Sequence, residues 1–145
     1  MIALIQRVSE ARVTVSGRIV GEIGVGVLAL IGVERDDGTA AAERLLERVL
    51  GYRVFPDAAG RMNLSLRDIG GGLLLVPQFT LAADTHKGTR AGFSTAAEPS
   101  RARELYGFLL ERARNAHPVV ASGEFGAEMQ VSSNNEGPVT FWLHS

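Results

Sequence analysis

Side chains able to do chemistry are sparse in this sequence. It has no cysteine, so a thiolate nucleophile, a disulfide framework and a cysteine-based zinc site are excluded. The histidines at 86, 117 and 144 lack the i, i+4 spacing of a helical metal pair, so surface or loop positions and no metal are expected. Ser65, Thr80 and Ser94 carry hydroxyls, but no G-x-S-x-G elbow exposes one and no partner base can be assigned. Gly21, Gly24 and Gly26, and Gly70 to Gly72, are followed by no Gly-Lys-Ser/Thr and open no helix. They fit hairpin turns better than a phosphate loop. Asp36 and Asp37 stand just ahead of a helical pattern, where negative charge favours the exposed N–H groups, a structural role. Two segments remain: Gln78 and Thr80 at the end of an apolar run, and Gly137-Pro138 between the terminal strand patterns. Singly, Gly-Pro reads as a turn and threonine as a strand former. Both segments are also suited to presenting backbone groups rather than side chains.

The elements that must position these residues follow from patterning. At 145 residues, 46% hydrophobic and 21% charged, the chain fits one compact globular domain, residues 1–145. A domain this small leaves little room for a deep cleft, and pairing of subunits would supply one. Formal net charge is -1, so any RNA contact must be local and shaped rather than a gross electrostatic effect. The opening MIALIQRVSEARVTV reaches Arg7 after too few apolar residues for a signal segment or a span, which predicts a cytoplasmic protein without membrane contact. Ala3 to Val33 reads as strands. TAAAERLLERVLGYR places Ala41, Leu45, Leu46, Val49 and Leu50 at helical spacing behind Thr39 as N-cap. After a turn from Phe55 to Gly60, LLLVPQFTL reads as a buried strand whose ladder Pro77 interrupts. A polar loop leads to a second helix from Pro99 to Asn115, with Leu105, Leu109, Leu110 and Ala113 inward. EMQVSSNN and VTFWLHS read as two strands joined through Glu136-Gly137-Pro138.

Taken together, PQFTLAADT at 77–85 and NNEGPVTFWL at 134–143 closely resemble the two signature segments of the D-aminoacyl-tRNA deacylase (D-tyrosyl-tRNA deacylase) family. MIALIQRVSEARVTV, RVLGYRVF and MNLS are similar to the same family, so the resemblance runs in order along nearly the whole chain. It implies an α/β fold, a single compact domain with layered β-sheets and two main helices, homodimeric, with no cofactor. It further implies a Gly-cis-Pro pair, here Gly137-Pro138, that reaches from one subunit into the active site of the other. Residue type alone predicts trans, since only about 5–6% of X-Pro bonds are cis. The family's first motif is Ser-Gln-x-x-Leu. This chain keeps Gln78 and Leu81, has Phe79 and Thr80 as in the commonest version, and carries Pro77 in place of serine. No hydroxyl at that position is then essential, and one N–H donor is removed.

The resemblance implies hydrolysis of the ester between a D-amino acid and the tRNA 3′ end. Carbonyls of Gly137 and Pro138, aligned by a cis bond, would accept from the substrate ammonium. L-residues would be rejected by clash, so glycine, with no Cβ, should also enter. Next to Gln78, backbone N–H groups around Phe79 and Thr80 would form an oxyanion hole, with water as nucleophile and the neighbouring ribose hydroxyl assisting. A competing proposal makes Thr80 a covalent nucleophile. Phe125 and Met129 match pocket-lining positions of the family, and the counterpart of Arg7 braces the Gly-cis-Pro pair. Lys87 and Arg90, in the loop after the first motif, are candidates to meet tRNA phosphates. An animal branch of related deacylases also resembles Pro-Gln at 77–78 and has a different chiral preference. An editing deacylase for L-residues mischarged onto tRNA is therefore the second reading, and a dimeric RNA-binding module without catalysis the third.

Overall fold

The computed structural model describes all 145 residues. In chain order they form β1 (Ile2–Val15), β2 (Arg18–Ile23), β3 (Gly26–Gly32), α1 (Thr39–Gly51), β4 (Phe55–Pro56), β5 (Met62–Leu64), α2 (Leu66–Ile69), β6 (Gly72–Pro77), a 3-10 turn (Phe79–Ala82), α3 (Pro99–Ala116), β7 (Val120–Ser122) and β8 (Gln130–His144). The architecture is α/β, a mixed sheet ordered β2-β1-β3-β6-β7 with β8 also on β1, and a separate β4-β5 hairpin. β1 is antiparallel to β2, β3 and β8, while β3-β6 and β6-β7 are parallel. Parallel neighbours need crossover connections, and α1 and α3 lie in those two crossovers.

β3 and β6 are apolar along their length because both faces are buried. Val27, Ala29, Ile31, Leu73 and Leu75 share one core with Ala42, Leu45 and Val49 of α1 and Leu105 and Leu109 of α3. Leu28, Leu74 and Val76 point the other way, into a second core with Val8, Ala11, Val13 and Ile23. The sheet curls around this second core until β2 touches β7. Curling demands close backbone approach: a Cβ on Gly26 would stand 1.9 Å from the carbonyl oxygen of its register partner Gly72.

Several sequence expectations change. Gly21 lies inside β2, Gly26 and Gly72 face each other across strands, and Gly70 is the left-handed cap of α2, so of these glycines only Gly24 keeps the hairpin role. Gly38, not Thr39, caps α1. Asp37 does not serve that helix end either: its carboxylate accepts from the Glu34 N–H at 2.7 Å and from the Met1 ammonium at 2.6 Å. The apolar run leaves the sheet at Pro77 instead of continuing to Leu81, because a proline cannot donate to the ladder. The terminal segments form one strand rather than two, since both flanks of Gly137-Pro138 hydrogen-bond to the same long β1. No helix is long and apolar enough to cross a membrane.

Candidate active site

β6 delivers the first motif. Just past Pro77, the Gln78 N–H donates to the Ile31 carbonyl at 2.7 Å, and the chain then tightens into the 3-10 turn. The first bond of that turn runs from the Leu81 N–H to the Gln78 carbonyl, so the N–H groups of Phe79 and Thr80 lie ahead of it. The Thr80 hydroxyl accepts from the Gln78 side-chain amide, a donor rather than a base.

Beside this turn opens a mainly apolar cavity of about 480 Å³. Its size suits a small-molecule or nucleoside group. Pro77, Gln78 and Phe79 form one wall, the start of α3 a second, and Phe125, Met129 and Val131 a third. The third wall is held from behind. The Phe125 ring lies 6.1 Å from that of Tyr106, and the Arg103 guanidinium sits 4.9 Å from the Phe125 centroid. The buried Tyr106 hydroxyl donates to the Leu75 carbonyl at 2.9 Å and lies 2.8 Å from Ser122 Oγ, tying α3 to β6 and β7. Burial pushes the Tyr106 phenol up to about 12, so it stays a neutral donor at physiological pH.

Gly137-Pro138 stands elsewhere on the surface. In the β1-β8 ladder Gln6 faces Thr140 and Val8 faces Asn135, so residues 136–139 stand opposite Arg7 alone and bulge from the sheet. The Gly137-Pro138 peptide is cis, against the expectation from residue type alone, and Gly137 has φ +131°. Side chains fix both ends of the bulge. Arg7 Nε donates to the Glu136 carbonyl at 3.0 Å while Arg7 Nη1 donates to the Val54 carbonyl at 2.7 Å. On the far side the Val139 N–H donates to Asn135 Oδ1 at 2.7 Å. A Cβ on Gly137 would meet Val139 Cγ2 at 2.8 Å and Arg7 Nη2 at 3.1 Å.

The fold thus gathers Gln78, Phe79, Phe125 and Met129 around one cavity, and Arg7, Gly137 and Pro138 in a second cluster that does not line it. Thr80 sits on the turn outside the cavity lining. Lys87 and Arg90 are exposed in the loop between the 3-10 turn and α3, without ion-pair partners. Of the other hydroxyls, Ser65 is the N-cap of α2, in a capping box with Asp68. His117 is buried rather than superficial, its Nε2 2.6 Å from the Gly71 carbonyl, His144 pairs with Glu34 at 2.6 Å, and His86 is exposed in a loop, so the three stand apart. Tyr106, Ser122, Arg103 and Asn135 were missed by the sequence reading, and no local pattern marks them. Phe93, whose ring lies 5.2 Å from that of Phe79, was missed too, although an aromatic residue in a polar loop is a signal.

Comparison with known proteins identifies the family of the chain. The family model described as D-Tyr-tRNA(Tyr) deacylase matches residues 4–144. A D-aminoacyl-tRNA deacylase of Thioalkalivibrio sulfidiphilus is 66% identical over 143 residues, 99% of this chain and 96% of that protein. One of Stutzerimonas stutzeri is 61% identical over 145 residues, covering 100% of both. A solved structure described as the c-Myc DNA Unwinding Element Binding Protein superposes with a TM-score of 0.96 at 36% identity, covering 100% of this chain and 99% of that one. A probable eukaryotic D-amino acid tRNA deacylase shares the fold with a TM-score of 0.86 at 19% identity, covering 98% and 97%. The chain belongs to the D-Tyr-tRNA(Tyr) deacylase family.

Proposed function

We propose that this chain is a D-aminoacyl-tRNA deacylase, hydrolysing the ester between a D-amino acid and the tRNA 3′ end in the cytoplasm, at a site shared by two copies of the chain. The observation that carries the reading is the division of the site. Gln78 and Phe79 line the cavity where the 3-10 turn with its free Phe79 and Thr80 N–H groups begins, while the Gly137-Pro138 bulge stands exposed and outside that lining. Neither half is a site by itself. β8 pairs with β1 alone, so its other edge is open from Gln130 to His144, with Val131, Phe141 and Trp142 exposed along it. An open edge with apolar side chains favours association, and a homodimer brings the bulge of one copy to the cavity of the other.

In that site the carbonyls of Gly137 and Pro138 accept from the α-ammonium of the substrate. The Phe79 and Thr80 N–H groups stabilise the oxyanion of the tetrahedral intermediate, each donor worth about 3 kcal/mol. Gln78 fixes the turn that presents them. Water attacks the ester carbonyl, and the neighbouring ribose hydroxyl of the terminal adenosine assists in place of a side-chain base. With ammonium and carbonyl both fixed, backbone occupies the direction an L side chain would take, so discrimination works by exclusion and glycine is accepted. Pro77 forms part of the cavity wall where the family has serine, which is the one observation favouring a specificity shifted towards mischarged L-residues.

Ester loss from D-tyrosyl-tRNA, L-alanyl-tRNA and glycyl-tRNA tests the proposal. We expect turnover of the D-tyrosyl and glycyl esters and sparing of L-alanyl. L-alanyl turnover would establish the shifted specificity, and binding without turnover the RNA-binding module. Undetectable glycyl hydrolysis at high enzyme concentration would remove exclusion as the whole basis of chiral selection.

A further inference from the structure

Phe79 and Phe93 form a solvent-facing aromatic pair at the mouth of the cavity. They are 61% and 44% exposed, their ring centroids 5.2 Å apart and their planes tilted by 41°. The Phe79 side chain serves no core, and Phe93 belongs to neither core cluster. Two adjoining large apolar rings, exposed in the single chain, are costly in water unless something covers them, the partner's bulge or a bound base.

The segment carrying Phe93 is braced. Asp84 and Gly92 exchange backbone hydrogen bonds at 2.8 and 2.9 Å, closing a loop that presents Lys87 and Arg90, and Phe93 follows at once. On its other side the Phe93 carbonyl accepts from the Ala96 N–H at 3.1 Å, and the Thr95 hydroxyl donates to the Ala82 carbonyl. Asp84 is the one carboxylate in this loop, and its Oδ1 accepts from the His86 N–H at 3.0 Å. Lys87 and Arg90 have no acidic partner. An aromatic pair next in sequence to a loop with unpaired cations, contiguous with the cavity proposed above for the reacting end, has the composition of a single-stranded nucleic-acid platform.

We infer that the Phe79-Phe93 pair stacks the base next to the terminal adenosine, the penultimate cytosine of the tRNA, while Lys87 and Arg90 meet the phosphates that flank it. The inference rests on the deacylase reading and adds a subsite to it: the cavity takes the reacting end, and the aromatic pair takes the next nucleotide. The side chain of Phe79 then has a binding role separate from that of its backbone N–H. Base stacking is sequence-tolerant, which suits a site that must accept many tRNAs sharing one 3′ end.

The test compares kcat/KM on D-tyrosyl-tRNA with that on 3′-D-tyrosyl-adenosine, which lacks the penultimate base, in wild type, Phe93→Ala and Phe93→Trp. The predicted result is that Phe93→Ala lowers the ratio of the two values by about 5- to 150-fold, the usual worth of one stacked base, and that Phe93→Trp keeps it near wild type. A ratio unchanged in Phe93→Ala would overturn the proposal whatever the absolute loss, because a folding or dimer defect lowers both substrates together. An equal fall of the ratio in Phe93→Trp would also overturn it, since that variant keeps an aromatic face. Turnover of neither substrate by wild type would remove the deacylase reading, and the proposal with it.

Discussion

In an Arg7→Lys variant, chiral selection and turnover should come apart. The guanidinium spans two carbonyls on different segments, Val54 O from Nη1 at 2.7 Å and Glu136 O from Nε at 3.0 Å. Lysine offers a single ammonium without the planar fork and keeps one of these contacts at most. A hydrogen bond from a charged donor contributes about 1.5–3 kcal/mol, and the solvent-exposed bond to Glu136 belongs at the lower end. A loss near 1.5 kcal/mol in a domain of this length lowers Tm by about 3–6 °C. The same energy is about tenfold in the population of the bulge held in place. Since the bulge is the element that excludes L-residues, the D/L ratio of single-turnover rates on D- and L-tyrosyl-tRNA should fall by up to about tenfold. The D rate at saturating enzyme should change less, because the Phe79 and Thr80 donors belong to the other cluster and the weakened ammonium contact on the bulge falls on binding. A Tm drop of the predicted size with an unchanged D/L ratio would show that bracing by Arg7 has no part in chirality and would refute the reasoning.

Thr80→Ala should keep most of the single-turnover rate, within about fivefold, because its hydroxyl contacts only an amide while its N–H survives the substitution; a loss of about 10³-fold or more would favour the covalent nucleophile. Tyr106→Phe removes the donor to Leu75 O and should cost about 1–2 kcal/mol at neutral pH, read by chemical denaturation. The Tyr106 phenol is raised from 10.0 to about 12, so its contribution to stability is complete below pH 10 and is lost as pH rises towards 12. Wild type should therefore lose stability across that window by about 2–3 kcal/mol more than Tyr106→Phe, and parallel curves would contradict the burial argument. Neutralising both Lys87 and Arg90 to glutamine should flatten the salt dependence of kcat/KM by about 1.4 in log-log slope, as for two lost phosphate contacts on a single strand. An unaltered slope would remove these residues from the RNA path.

Local pattern made the helices and the central strands legible. Ala41, Leu45, Leu46, Val49 and Leu50 repeat with the helical period because one face of α1 lies on the sheet, and all five are buried. Strand β6 was placed by its apolar run, but its end was misplaced, because Phe79 and Thr80 favour strands by type and only the missing N–H of Pro77 turns the chain. The continuity of β8 was hidden for a related reason. Gly-Pro breaks any local strand pattern, and the pairing that overrides it comes from β1, more than a hundred residues away in sequence. α2 was missed although Ser65 and Asp68 carry a capping box, since its four residues show no period. The candidate site was read by resemblance in its two motifs and in Arg7, Phe125 and Met129, but not in its other supports. Tyr106, Ser122 and Asn135 act through contacts that join distant segments, and no spacing in the chain records them.

The central claim, one site made from two chains, is tested most directly by mixed dimers purified through two tags. One protomer carries Phe79→Pro, which deletes a donor N–H at the cavity edge. The other carries Gly137→Val, whose Cβ would fall 2.8 Å from Val139 Cγ2 at a φ of +131° that a β-branched residue rarely adopts. In a crossed arrangement one site of the mixed dimer combines the intact turn of one chain with the intact bulge of the other, and its partner site combines both lesions. The account predicts that each parent homodimer is inactive on D-tyrosyl-tRNA and that the mixed dimer recovers about half of wild-type activity. A folded mixed dimer as inactive as its parents would contradict it.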